Sequence, residues 1–379
     1  MDGQGSTVSL FIIGGGGTGG HTSPGLAVAA ELRARGHRCA WIGSREGIEA
    51  RQAPAAGLEY VAIPTGKLRR YWDWHNVSDL AVSVPAGIVG AWRALGRFRP
   101  RAVFSTGGFV ALPVVVAAAI RGIPIVIHEQ TAVPGLANRL SAPLARKIAV
   151  TYQESAASES TRHFATHKVI VTGNPVRPEL RAGSRADALA RYGFDPGLPA
   201  VYVTGGAQGA HRINRAVGDA LPTLLEHVQI VHQCGDNPTT GDHAWLLERQ
   251  AALPARLAAR YVVTPFVGAE LADLFAAASL LISRAGAGTV NECCQLGVAA
   301  LYIPLPGTRG DEQAANARLV AGVGGAEVLP QDALTPAALA ERVIGLVTTP
   351  HRLKEMGERA ISLAVPDAAA RIADLLESL

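Results

Sequence analysis

Three glycine-rich stretches in this 379-residue sequence each run into a helical pattern, where they would bring backbone N–H groups against an anion. The first is Gly14-Gly15-Gly16-Gly17-Thr18-Gly19-Gly20-His21, the second Gly205-Gly206-Ala207-Gln208-Gly209-Ala210, and the third Arg284-Ala285-Gly286-Ala287-Gly288-Thr289. Glycine lets the main chain approach a ligand closely, and the following helix N-terminus adds free N–H groups and the positive end of its dipole. The first stretch holds two overlapping G-x-G-x-x-G matches, Gly14/Gly16/Gly19 and Gly15/Gly17/Gly20. A dinucleotide site also wants an acid after the second strand. There the chain reads Ile42-Gly43-Ser44-Arg45, with Glu46 late and beside an arginine, which disfavours a nicotinamide oxidoreductase. No Gly-Lys-Ser/Thr follows, so the stretch is not a Walker loop.

Polar side chains flank these loops. Glu292 stands three residues after Thr289, and two readings are open. Thr289 and Glu292 would form a capping box, or Glu292 would accept hydrogen bonds from a ribose diol. Gln313 and Asn316, in Arg309-Gly310-Asp311-Glu312-Gln313-Ala314-Ala315-Asn316-Ala317, lie i, i+3 on one helix face and would bind a polar ligand together.

The elements that position these residues alternate. Val8–Ile13, Arg38–Ile42, Ala102–Ser105, Pro124–His128, Ile148–Val150 and Val169–Thr172 read as strands, and Ser23–Arg35 as a helix. The pattern restarts with strands at Ala200–Thr204, Gln229–Gln233, Leu280–Ser283 and Ala300–Pro304, and a helix at Arg212–Leu225. Strands alternating with helices predict parallel βαβ units, and the continuous apolar runs fit strands covered on both faces. The expected fold is α/β, with two Rossmann-like doubly wound parallel sheets facing across a cleft. The expected domains are 1–173 and 174–363, with a helix in 364–379 packing back on the first. The charge-free stretch Ala102–Ile120 approaches the ~20 residues of a membrane span, but Gly107-Gly108 and Pro113 make it a strand, a turn and a helix.

The formal net charge of +4 is unevenly spread. Residues 1–178 carry 19 Lys+Arg and 10 Asp+Glu, hence +9, and the remainder carries −5. The first half is therefore expected to meet something anionic. The four cysteines form no C-x-x-C pair, which argues against a disulfide framework or a zinc site and fits a reducing compartment.

The sequence resembles the MurG family, the peptidoglycan N-acetylglucosaminyltransferases of the inverting GT-B superfamily. Eight stretches carry the resemblance: Gly16 to His21, Gly66-Lys67-Leu68-Arg69-Arg70-Tyr71, Thr106-Gly107-Gly108-Phe109, His128-Glu129-Gln130-Thr131-Ala132-Val133-Pro134-Gly135-Leu136-Ala137-Asn138, Gly173-Asn174-Pro175-Val176-Arg177, Gly205 to Ala210, Arg284 to Glu292, and Arg309 to Ala317. It implies a UDP-N-acetylglucosamine (UDP-GlcNAc) donor held mainly by the second half. It implies an undecaprenyl-diphospho-N-acetylmuramoyl-pentapeptide (lipid I) acceptor met mainly by the first, and a β-1,4-linked product, lipid II. Arg177, Ala207, Gln208, Val267, Ala287, Gly288, Thr289, Val290, Glu292, Gln313 and Asn316 would line the donor site, with Thr18, Gly19, Gly20 and Thr131 reaching the donor from the other half. Glu292 would take the ribose hydroxyls, Val267 the uracil edge and Gln313 the sugar. Three positions depart from the family pattern: Thr131 stands where Asn is common, and Ala207 and Ala285 where Ser is common.

Inversion needs a base for the acceptor hydroxyl. His21, whose ordinary pKa of ~6.5 suits proton transfer near neutrality, is the candidate, with His128-Glu129 as a pair that orients the acceptor or assists. Helix N-termini and Arg177 would stabilise the departing diphosphate. No D-x-D pair exists, so no metal cofactor is expected. Lys67, Arg69 and Arg70 with Trp72 and Trp74 combine bases and interfacial aromatics, which predicts peripheral attachment to an anionic membrane at its cytoplasmic face. Nucleic acid is not an expected partner; cell-wall synthesis proteins are. The alternatives are a GT-B relative with another lipid or natural-product acceptor, and a non-catalytic nucleotide-sugar-binding module.

Overall fold

The computed structural model describes residues 8–17, 19–65, 82–152, 164–307 and 311–379. Thr18, Arg309 and the predicted membrane residues Lys67, Arg69, Arg70, Trp72 and Trp74 lie outside the described residues. The chain divides into two compact units, residues 1–177 with 365–379, and residues 178–364.

In the first unit the order is β1 (Leu10–Gly15), α1 (Gly19–Ala34), β2 (Arg38–Ser44), α2 (Glu49–Ala55), β3 (Glu59–Ile63), α3 (Val84–Phe98), β4 (Ala102–Gly107), α4 (Ala111–Ile120), β5 (Ile125–Glu129), α5 (Leu136–Ser141), β6 (Lys147–Val150) and β7 (Val169–Val171). The seven strands are parallel in the order β3-β2-β1-β4-β5-β6-β7. Chain direction across the sheet reverses between β1 and β4, so their carboxyl ends form the switch point where such folds bind ligands. The charge-free stretch is β4, a glycine turn and α4. Among the described residues no helix is long and apolar enough to cross a membrane.

The second unit runs α6 (Arg185–Tyr192), β8 (Ala200–Thr204), α7 (His211–Leu224), β9 (Gln229–Gln233), α8 (Asp242–Ala251), α9 (Ala255–Ala258), β10 (Tyr261–Thr264), α10 (Leu271–Ala277), β11 (Ala278–Ser283), α11 (Ala287–Leu296), β12 (Ala300–Tyr302), α12 (Glu312–Gly322), β13 (Ala326–Val328), α13 (Pro336–Val347) and α14 (Pro350–Ile361). Its parallel sheet, β10-β9-β8-β11-β12-β13, repeats the same order with the switch between β8 and β11.

The last helix, α15 (Ala368–Glu377), returns to the first unit. Ile372, Ala373 and Leu376 join Phe11, Ile13, Val28 and Trp41 in one core. Arg35, just past α1, ties it further, donating to Asp374 at 2.6 Å and Glu377 at 2.8 Å.

Residues 174–177 fall in the first unit, four residues beyond the expected boundary. Gly173 explains why. Its carbonyl accepts a hydrogen bond from His128 Nε2 at 3.0 Å, and a Cβ at Gly173 would collide with Val365, so this segment is packed into the first unit.

Candidate active site

The first unit places the glycine loop, His21, Thr106-Gly107-Gly108 and Glu129 to Asn138 at the carboxyl ends of β1, β4 and β5. The His21 Nδ1–H donates to the Thr106 carbonyl at 2.9 Å. A second donor, Gln130 Nε2, reaches the same oxygen at 2.6 Å and holds it. Gly107 and Gly108, with φ of +87° and +79°, make room for the ring, since a Cβ on either would lie 3.3–3.4 Å from an imidazole carbon. With the proton fixed on Nδ1, Nε2 carries the lone pair. Burial lowers the His21 pKa below its ordinary value, although the Thr106 carbonyl and the Glu129 and Glu49 carboxylates push the other way. The outcome is a neutral imidazole with a basic Nε2, as a general base requires.

His128 and Glu129 are not exposed enough to touch an acceptor, at 0% and 3%. His128 Nε2 is spent on Gly173, and burial pushes its pKa down to about 4. The Glu129 carboxylate accepts from the Thr131 N–H (3.0 Å) and hydroxyl (2.7 Å), the Gly135 N–H (3.0 Å) and Asn138 Nδ2 (2.9 Å). The pair therefore builds the loop rather than orienting an acceptor directly. The Thr131 hydroxyl is consumed there too, reaching Glu129 and the Val133 carbonyl (2.6 Å), which turns it away from a donor-binding role. Gly19 and Gly20 open α1, where the N–H groups have no partner within the helix. Arg177 is half-buried at the end of this unit.

In the second unit the loops after β8 and β11 enclose a cavity of about 470 Å³. Its walls are Gly205, Gly206, Gly209, Ala210, His211, Arg212, Ser283, Arg284, Gly286, Thr289, Leu305, Gln313 and Gln331. Two helix N-termini, those of α7 and α11, open beside it, so both supply unpaired N–H groups. Arg284 is anchored by its donation to the Ile303 carbonyl (2.9 Å) and Gln331 Oε1 (2.5 Å). Burial and the neighbouring Arg212 push the Arg284 guanidinium down to about 10, so it remains a cation at neutral pH. The cavity thus fits an anion such as a diphosphate.

Several expectations change here. The capping box does not form: Gly286 is the N-cap of α11 and Thr289 is its third residue. Val290 is fully buried, and its N–H donates to the Gly286 carbonyl at 3.0 Å, so it offers a ligand neither side chain nor amide. The amides of Ala287, Gly288 and Thr289 lie in the first turn and are not used by the helix. Glu292, on the second turn, is half-buried. Ala207 and Gln208 stand exposed at the loop tip, and their neighbours form the wall. Asn316 is fully buried with Nδ2 donating to the Ala285 carbonyl (3.1 Å), so it pins the third glycine loop instead of sharing a ligand with Gln313. Gln313 stays on the wall, its Oε1 accepting from the Leu305 N–H at 3.0 Å. The Val267 N–H is taken by Gln233 Oε1 at 3.3 Å, so this amide is not available to a uracil edge.

Sequence reasoning did not single out Arg212, Gln331 or the side chain of Arg284. Arg212 follows a glycine loop at the start of a helix and Arg284 opens another, and that spacing is the signal for both. Gln331 had none.

Residues 11–150 match the glycosyltransferase family 28 N-terminal domain, and residues 200–372 match the glycosyltransferase family 28 C-terminal domain. Two parallel-sheet units, each with its site at the switch point, define a GT-B glycosyltransferase. The chain is 38% identical over 338 residues to the UDP-N-acetylglucosamine–N-acetylmuramyl-(pentapeptide) pyrophosphoryl-undecaprenol N-acetylglucosamine transferase of Lachnoclostridium phytofermentans, covering 88% of this chain and 89% of that protein. It is 36% identical to the transferase of the same name from Treponema denticola, across 98% of both chains. The crystal structure of Acinetobacter baumannii MurG superposes with a TM-score of 0.72 at 28% identity, covering 98% of this chain and 100% of that one. The chain belongs to the MurG family of N-acetylglucosaminyltransferases.

Proposed function

We propose that this protein transfers N-acetylglucosamine from UDP-GlcNAc to undecaprenyl-diphospho-N-acetylmuramoyl-pentapeptide, lipid I, with inversion, giving lipid II for peptidoglycan synthesis. The observation that carries the reading is His21, a neutral imidazole with Nδ1 bonded to the Thr106 carbonyl and Nε2 left basic. Nε2 takes the proton of the muramoyl 4-hydroxyl as that oxygen bonds to C1 of the donor sugar. The C1–O bond to the β-phosphate breaks on the opposite face, and its electron pair leaves on UDP. In the second unit the amides of α7 and α11, with Arg212 and Arg284, hold the diphosphate as its charge grows. Glu292 takes the ribose diol and Gln313 the sugar. No step draws on a metal. UDP release, followed by a coupled assay, should require a lipid I analogue and be faster with UDP-GlcNAc than with UDP-glucose. Release that ignores the acceptor would contradict the reading.

The acceptor's lipid puts the enzyme at the cytoplasmic face of the cell membrane. In addition to the basic residues of the 66–74 sequence, α3 supplies support for this among the described residues. Val89 and Trp92 are 47% and 44% exposed, and Pro85, Ala86 and Arg93 are exposed with them. Ile120, at the end of α4, is 66% exposed, and the Arg121 guanidinium stacks 4.0 Å over the Trp92 ring. Apolar side chains beside arginines suit an anionic leaflet, to which each basic residue adds about 1 kcal/mol. Val89→Glu with Trp92→Glu should reduce co-sedimentation with phosphatidylglycerol vesicles several-fold and leave turnover of a soluble lipid I analogue unchanged. Undiminished co-sedimentation would remove α3 from the membrane face.

A further inference from the structure

Glu49, at the start of α2, is a carboxylate with no exposure that the transfer mechanism does not use. Its Oε2 accepts the Gly17 N–H at 2.9 Å, and its Oε1 accepts the Ser44 N–H at 3.1 Å and the Ser44 hydroxyl at 2.6 Å. The Ser44 oxygen in turn accepts the Gly47 N–H at 2.9 Å. The surrounding glycines are shaped to this group: a Cβ at Gly16 or Gly47 would fall inside the carboxylate, and one at Gly43 would strike the Glu49 side chain at 2.8 Å. Gly16 has a φ of +146°, so its lack of a side chain serves both backbone and packing.

The first glycine loop is therefore not an empty anion nest. The Gly17 N–H is already taken, and it is taken by a negative charge. We infer that Glu49 is a positioning residue for His21: by gripping Gly17 it fixes the loop that leads into α1 and so sets the imidazole on the Thr106 carbonyl. A charge-assisted bond from a buried carboxylate to a main-chain amide is strong and directional, and a base misplaced by about 1 Å loses up to ~10²-fold in rate. Besides Glu49, the titratable groups that His21 senses are Glu129 and His128.

The rate consequence rests on His21 being the base, so the test has a readout that does not need turnover. With ¹⁵N-histidine in the full chain, the His21 ring shifts report which nitrogen carries the proton. In the wild type they should show the Nδ1–H tautomer. In Glu49→Gln the amide NH₂ faces the Gly17 N–H or the Ser44 donors, so one donor loses its acceptor. The two ring nitrogens should then move toward a tautomer average, and kcat should fall about tenfold or more, with UDP affinity within twofold. Retention of the Nδ1–H tautomer in Glu49→Gln overturns the inference, whether or not kcat falls. If the tautomer mixes but the wild type transfers no N-acetylglucosamine, the transferase reading fails while the positioning role stands. Should Glu49→Gln not fold, Ser44→Ala decides. It keeps the charge and removes the 2.6 Å bond, and must partly mix the tautomer.

Discussion

Alanine at position 21 should lower kcat by about 10²–10⁴-fold, the range typical of a lost general base, while UDP affinity stays within twofold. The His21 ring removed is the group whose Nδ1 is held by Thr106 and whose Nε2 faces outward from that bond. UDP needs the second unit's amides and arginines, so it should not sense the change. Asparagine is the sharper replacement, because it can keep a hydrogen bond to Thr106 while offering no base. The pH profile completes the test. Burial lowers the His21 pKa, so the basic form survives to more acid pH than an ordinary histidine allows. The acid limb of kcat/KM should accordingly lie below ~6.5 and vanish in His21→Asn, where the residual rate should be flat across it. A variant with near-wild-type kcat would remove His21 from the chemistry.

Arg284→Ala should weaken UDP binding and kcat/KM by about 10²-fold, in the range found when a preorganised donor to a developing anion is lost. Uridine binding should change little, because the guanidinium answers to phosphate and not to the base or ribose. The substitution also strips the Ile303 and Pro304 carbonyls and Gln331 of their donor. Unpaired buried acceptors cost ~1–3 kcal/mol, so a lower melting temperature should accompany the kinetic loss. Arg284→Lys separates the two effects: it keeps a cation but cannot span carbonyls and glutamine at once. It should recover part of the UDP affinity and little of the stability. Equal losses for uridine and UDP would show that Arg284 acts only as scaffold.

The central strands were legible because they are buried on both faces and read as apolar runs. The three strands that were not, β3, β10 and β13, all lie at sheet edges. There one side meets solvent, and Glu59-Tyr60-Val61-Ala62-Ile63 mixes polarity accordingly. The glycine loops announced two ligand-binding ends, but the reason for individual glycines was hidden. Gly16 yields space to Glu49, a residue 33 positions away, rather than to a phosphate. Helical spacing put Gln313 and Asn316 on one face, yet only tertiary packing decides that Asn316 is sealed against Ala285 while Gln313 meets the cavity. Thr289 and Glu292 had the spacing of a capping box, but the helix begins two residues before Thr289. Net charge misled locally as well. The half that carries −5 nonetheless places Arg212 and Arg284 on its cavity wall. Glu49, the second acid after β2, gives the nicotinamide alternative no support, because it is fully buried and bonded to the glycine loop.

The most direct measurement is the product itself. The full chain is incubated with UDP-[¹⁴C]N-acetylglucosamine and a lipid I analogue, and the labelled lipid is isolated and its new linkage read by NMR. The account predicts one N-acetylglucosamine per muramoyl residue, β-linked to O4, formed in step with UDP. A labelled lipid with an α linkage would contradict it, as would label transferred to another acceptor in preference or UDP binding without any transfer.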